Sequence, residues 1–246
     1  MTVSPEIIAE QVMGYVVWAS ELIPTLKPSL EKAYSVAILP QGPHFYTGLL
    51  QAAGYLLLDS QKKKLVVISQ QSDDQKNILV DSNSYGPVFG QTWKNSITTI
   101  SNLARQLNAK LAHPEQKALF EQIRFQLPFF RVITDTEELL HISIGDKTPP
   151  NSLNKLLTWI KNHIQEYNIV ILTNIELSTS TTSEKIDEQQ QIARYIQTSF
   201  PDMPLLTVFQ EILNIQKKKP EIVAYVNPGD FSKPSSLTTR YICAVG

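Results

Sequence analysis

The sequence predicts an α/β fold: a mostly parallel or mixed central sheet with helices on both faces, built as one domain over residues 1–246. Three observations point there. Leu65 to Ser69 and Ile169 to Thr173 are continuous β-rich apolar runs, as expected of strands buried on both faces. Segments with apolar residues at helical spacing lie between such runs. A composition of 42% hydrophobic and 18% charged residues over 246 positions is globular and supplies a full core.

The elements follow in order. Pro5 to Trp18 carries Ile7, Ile8, Val12, Tyr15 and Val16 at helical spacing, opened by Ser4-Pro5 and expected to end at Pro24 and Pro28. Ser35 to Leu39 reads as a strand, Thr47 to Leu58 as a helix with Leu49, Leu50, Ala53 and Leu57 on one side, and Leu65 to Ser69 as the next strand. Pro87 to Trp93 reads as a hairpin or loop. Ile97 to Leu107 is a predicted helix, and Ala118 to Phe130 another that runs until Pro128. Leu140 to Ile144 is a strand ending at Gly145, Ser152 to Gln165 a helix, and Ile169 to Thr173 a strand. Ser183 to Phe200 and Leu205 to Ile215 are predicted helices, and Ile222 to Val226 and Thr239 to Val245 close the chain as strands. Ser178 to Ser183 is low in complexity and is expected to form a mobile loop over the carboxyl edge of the sheet. Lys62–Lys64 and Lys217–Lys219 read as solvated turns.

Several function classes are excluded or disfavoured. A formal net charge of −1 gives no electrostatic case for nucleic acid or an anionic membrane. The single cysteine, Cys243, permits no internal disulfide, fits a reducing compartment, and lies in an apolar strand as a core residue rather than a nucleophile. Glu6 and Glu10 precede the first basic residue, Lys27, unlike the basic start of a signal peptide, and no apolar run is long enough to span a bilayer. A soluble, cytoplasmic protein is expected. No phosphate-binding P-loop, dinucleotide glycine fingerprint or Gly-x-Ser-x-Gly nucleophile elbow is present.

The most informative stretch is Tyr34 to Gly48, where a short strand breaks into a Pro/Gly turn carrying Gln41 and His44 and then feeds an apolar helix. Ligands in α/β folds sit at the carboxyl ends of strands, so this turn is the leading candidate site. Of the other histidines, His163 is expected to be exposed on its helix, His141 to be a satisfied structural histidine within its strand, and His113 to precede a helix before Pro114. Asp73 and Asp74, just beyond the strand Leu65–Ser69, read as a loop or helix-start pair able to add carboxylates.

Several of these turns and strands, taken in order, resemble the Memo family (AmmeMemoRadiSam system protein B), relatives of the class III extradiol dioxygenases. Pro40-Gln-Gly-Pro-His-Phe-Tyr-Thr-Gly48 has the length of the family's Pro-His-Ala-Gly-Tyr-x-Tyr-Ser-Gly turn and keeps Pro40, Tyr46 and Gly48. Val67-Ile-Ser-Gln-Gln-Ser-Asp73 resembles the strand that ends in Gly-Pro-Ser-His. Glu121-Gln-Ile-Arg-Phe-Gln-Leu-Pro-Phe129 keeps Gln126, Leu127, Pro128 and Phe129 of the family's His-Ser-Leu-Glu-x-Gln-Leu-Pro-Phe. Ile142 to Gly145, Val170 to Asn174 and Ala224 to Asp230 resemble later strands and their turns, and Tyr241 sits where the closing strand has Gly-Tyr-Ala-Ala.

The departures fall on the family's metal site. Gln41 stands for the first histidine, Asp73 for the second and Glu121 for the histidine before Gln-Leu-Pro-Phe, where Arg124 replaces a glutamate. Asn174 to Ser178 lacks the family's later histidine, and its Cys-Gly segment has no counterpart between Phe200 and Phe209. Neutral amides are poor ligands for iron, copper or zinc. The resemblance therefore implies a Memo-like fold with a degenerate metal site, no cofactor, and a non-catalytic binding or scaffold role. Its cleft would be lined by Gln41, His44, Tyr46, Asp73, Glu121, Gln126 and Asn174, and would hold a peptide, a protein or a small polar ligand. The alternative is an enzyme with a rebuilt site, in which Asp73, Glu121 and Glu176 join His44 around a hard cation such as Mg²⁺ or Mn²⁺, or His44 acts as a general base.

Overall fold

The computed structural model describes residues 5–26, 33–42, 44–71, 76–112, 123–173, 175–176, 196, 203–226 and 239–246. The helices are α1 (Pro5–Leu26), α2 (His44–Leu57), α3 (Ile97–Leu107), α4 (Leu127–Ile133), α5 (Pro150–His163) and α6 (Pro204–Gln216). The strands are β1 (Val36–Leu39), β2 (Lys64–Gln70), β3 (Ile78–Asp81), β4 (Tyr85–Val88), β5 (Gln91–Trp93), β6 (Lys110–Ala112), β7 (Glu138–Ile144), β8 (Tyr167–Leu172), β9 (Ile175–Glu176), β10 (Glu221–Val226) and β11 (Thr239–Val245).

The main sheet runs β10-β11-β1-β8-β2-β7-β3-β6, with β9 paired to β11. Its centre is parallel, through β1 with β8, β8 with β2, and β2 with β7. Both flanks turn antiparallel, at β1 with β11 and at β7 with β3. The sheet is thus the mixed form of the expected α/β architecture.

Side chains alternate between two cores, as the pleat dictates. Val36, Ile38, Val66, Ile68, Leu140 and Ile142 face a layer made of α3, α5 and α6. Ala37, Leu39, Leu65, Val67 and Leu139 face α1, α2, α4 and the β4–β5 hairpin. Helix α2 lies close against this second face. A Cβ on Gly54 would collide with Leu39 and approach Cys243 Sγ to 3.2 Å, and one on Gly48 would reach the Tyr15 ring of α1 at 2.5 Å. Gly14, in α1, has nothing within 4 Å of an added Cβ. Gly14→Ala is therefore expected to raise stability by about 0.5–1 kcal/mol, read as a higher urea midpoint at unchanged slope.

Some expectations need correction. Helix α1 runs through Pro24 to Leu26 instead of stopping there. Pro24 lies near its last turn on the exposed side, where the carbonyl it leaves without a donor can face solvent. Pro128 opens α4 rather than ending a helix, because a first-turn position needs no N–H. Strands β3 and β6 are too short to show a period and were not expected. His163 is not exposed; it stacks on Trp159 at 4.6 Å and its Nδ1 bonds the Trp159 carbonyl at 2.7 Å. Lys62 is not a solvated turn residue either. Its Nζ donates to Ser35 Oγ and to the Ile164 carbonyl, both at 2.7 Å, tying β1 to the end of α5. The Ser178–Ser183 loop and His113 lie outside the described residues, as does the Ser183–Phe200 helix apart from Ile196. No helix among the described residues is long and apolar enough to cross a membrane.

Candidate functional site

The parallel register brings the carboxyl ends of the central strands side by side. Leu39 pairs with Leu172, Leu172 with Ser69, and Ser69 with Ser143. Two backbone bonds extend this line past the strands: Thr173 N–H donates to Leu39 O at 3.0 Å, and Gln71 N–H to Ile144 O at 2.8 Å. The segments singled out in the sequence after β1, β2, β7 and β8 thus leave the sheet along one edge. Gln41 is half-buried there. His44 and Tyr46 lie in the first turn of α2, which starts at the same edge. Asp73, Glu121 and Asn174 lie outside the described residues, and Glu176 belongs to β9.

The described side chains at this edge are mostly amides and hydroxyls. Thr47 Oγ1 donates to Gly42 O at 3.1 Å. Gln51, fully buried, donates from Nε2 to Pro40 O at 3.2 Å and reaches Gly42 O at 3.5 Å. Its Oε1 is also buried and has no hydrogen-bond partner among the described residues. Gln71 donates from Nε2 to Ser143 O at 3.0 Å and to Asn77 O at 3.2 Å. Gln51 was not recognised in the sequence, although a lone amide within the apolar run of α2 is its signal.

Gln126 contacts α2 through Tyr55. It is fully buried at the entry to α4, and its Oε1 accepts from Tyr55 Oη at 2.9 Å. Tyr55 lies one helical turn beyond Gln51, about 6 Å along the axis of α2 at 1.5 Å per residue. The Gln-Leu-Pro-Phe segment also packs in the core: Phe129 and Phe130 lie on Tyr55 at 6.1 and 5.2 Å between ring centres. Arg124 is exposed at the protein surface.

A second polar group lies on the same sheet face. Ser69 Oγ is 2.8 Å from His141 Nε2, and His141 Nδ1 is 3.4 Å from Asp81 Oδ2. Tyr85 Oη donates to that same oxygen at 2.6 Å, and Asn83 donates to Asp81 Oδ1 from its backbone and its side chain. Burial works to raise the Asp81 pKa. The contacts with His141, Tyr85 and Asn83 outweigh it and hold the carboxyl below its ordinary value. Tyr85 is pushed well above its ordinary value, first by burial and then by Asp81.

The Ser–His–Asp order matches a nucleophilic triad, but the surroundings do not. Ser69, His141 and Asp81 are 0%, 1% and 3% exposed, so no acyl substrate reaches the hydroxyl. Ser69 is paired on both sides within the sheet, which commits its backbone to the ladder rather than to an oxyanion. His141 is a satisfied structural histidine. Cys243 is equally remote from chemistry: it is fully buried, and burial pushes its thiol up to about 12. Among the described residues, no three His, Cys, Asp or Glu side chains gather as a metal site.

No protein-family model matches the chain, and neither does any curated protein sequence. Among solved structures it is similar to an uncharacterized protein, JW3007, from Escherichia coli K12, at 12% identity and a TM-score of 0.47, over 86% of this chain and 99% of that one.

Proposed function

We propose that this chain is a divergent Memo-like protein whose strand-end cleft binds a small polar ligand or peptide through neutral hydrogen bonds, not through a redox metal. One observation carries the reading. At the turn that the Memo pattern equips with a histidine, the described groups are amides and a hydroxyl, and one of them, Gln51 Oε1, is a buried acceptor with no partner among the described residues. Leaving a buried acceptor unpaired costs about 1–3 kcal/mol; Gln51 is fully enclosed, so a ligand's donor recovers that cost only by displacing the Pro40–Gly42 turn packed on it. The neutral lining suits hydroxyl, amide and ammonium groups and disfavours soft or borderline metals.

The test is a thermal-shift screen of polyols, free amino acids and short peptides against the whole chain. A ligand at about 100 times its Kd adds about 2.7 kcal/mol of stability. That gain should vanish in Gln51→Leu and in Gln41→Ala. A gain that survives both substitutions places the ligand elsewhere and contradicts the reading. Gln41→His alone is expected to leave the protein without tight Fe²⁺ binding, measured by calorimetry, because a single imidazole does not make a site.

A further inference from the structure

Helix α1 turns an apolar strip away from the rest of the protein. Met13, Val17 and Trp18 are 47%, 52% and 56% exposed, while Val12, Ala19 and Ile23 on the opposite side are buried in the core shared with α2 and α4. At 3.6 residues per turn, Glu10, Met13, Gly14, Val17, Trp18 and Glu21 share one face. Met13, Val17 and Trp18 lie between Glu10 and Glu21, both exposed, and Ile7, 48% exposed, continues the same face one turn before Glu10. Gly14 puts no side chain on this face, and an added Cβ there would meet nothing within 4 Å.

We infer that this face of α1 docks an amphipathic helix of a partner protein, apolar along its contact strip and carrying Lys or Arg at both ends. The bare backbone at Gly14 lets a partner helix approach closely, and Trp18 is the anchor, a residue type enriched at binding hot spots. Charge selects the partner. Helix α1 has Glu6, Glu10 and Glu21 and no Lys or Arg. A second copy docked on this strip places glutamate near glutamate at each end, in either orientation, and an anionic lipid surface meets the same repulsion. Basic ends satisfy both carboxylates. This surface is independent of the strand-end cleft.

Trp18 reports on the contact directly, because Trp93 and Trp159 are 1% and 7% exposed. The probe is a helical peptide of about 18 residues, with leucines at three- and four-residue spacing through its middle and two lysines at each end. On titration into the whole chain it should shift Trp18 emission to the blue and shield it from iodide. Trp18→Ala should abolish binding of the labelled peptide with no change in the circular dichroism melt. Glu10→Lys with Glu21→Lys should weaken binding by at least roughly tenfold. Three results overturn the inference: no shielding of Trp18, equal binding of the same peptide with glutamate ends, or self-association on sedimentation that Trp18→Ala removes. Shielding by phosphatidylserine vesicles in place of the peptide overturns it as well.

Discussion

His141→Ala is expected to lower the unfolding free energy by about 1–3 kcal/mol, the cost of leaving buried polar groups, here the Asp81 carboxylate and the Ser69 hydroxyl, short of a hydrogen-bond partner. The substitution leaves Asp81 buried with an ionised carboxyl held only by Tyr85 and Asn83, and it opens a hole next to Ser69. Against the roughly 5–15 kcal/mol that holds an ordinary domain together, that loss is large. Urea unfolding at neutral pH measures it; a loss under about 1 kcal/mol would mean that the network is solvated. Asp81 also sets a pH dependence. Its folded pKa lies below the unfolded value of 3.8, so its contribution is fully present above that value and is lost as the pH falls through the folded one. Asp81→Asn should therefore be less stable than wild type at pH 7 and should lose less stability than wild type as the pH falls below about 4. Parallel stability curves over that range would contradict the assignment.

Phe130→Ala is the other large expected loss, about 3–5 kcal/mol. Phe130 is fully buried and meets Tyr55 edge-on at 5.2 Å and Trp93 edge-on at 6.3 Å. Truncation breaks both aromatic contacts and leaves a cavity between α2, α4 and the β4–β5 hairpin, which cannot close without moving the sheet. The same cluster holds Gln126. Tyr55→Phe removes its hydrogen bond and should cost about 1–2 kcal/mol, without affecting any ligand that stabilises the protein through Gln51. Loss of ligand binding in Tyr55→Phe at unchanged stability would move Gln126 from the core to the site.

The strong elements were legible because burial on both faces leaves continuous apolar runs. Leu65–Ser69 lies within β2, Ile169–Thr173 covers β8 from Ile169 to its end at Leu172 and runs one residue past it, and Ile97–Leu107 is α3 to the residue. Elements shaped by their neighbours were not legible. Lys110–Ala112 is a strand through pairing with β3, a contact that its own residues do not announce. Pro128 reads as a stop signal or a start signal depending on which side the helix lies, and only packing decides. At the site, Gln41 and His44 were visible because they sit in a Pro/Gly turn. Gln51 was hidden because a buried amide inside a helix looks like a surface residue until the helix is docked. Asp81 was hidden for a related reason: its partner His141 is 60 residues away in sequence and meets it only across the β3–β7 pairing.

A strand-end turn that binds through neutral groups holds no metal. The most direct test is calorimetric titration of the metal-free protein with Fe²⁺, Zn²⁺, Cu⁺ and Mn²⁺ under reducing, oxygen-free conditions. The prediction is no stoichiometric binding of any of them. Tight one-to-one binding that disappears in His44→Ala or Asp73→Ala would contradict it and would establish a rebuilt carboxylate and imidazole site in its place.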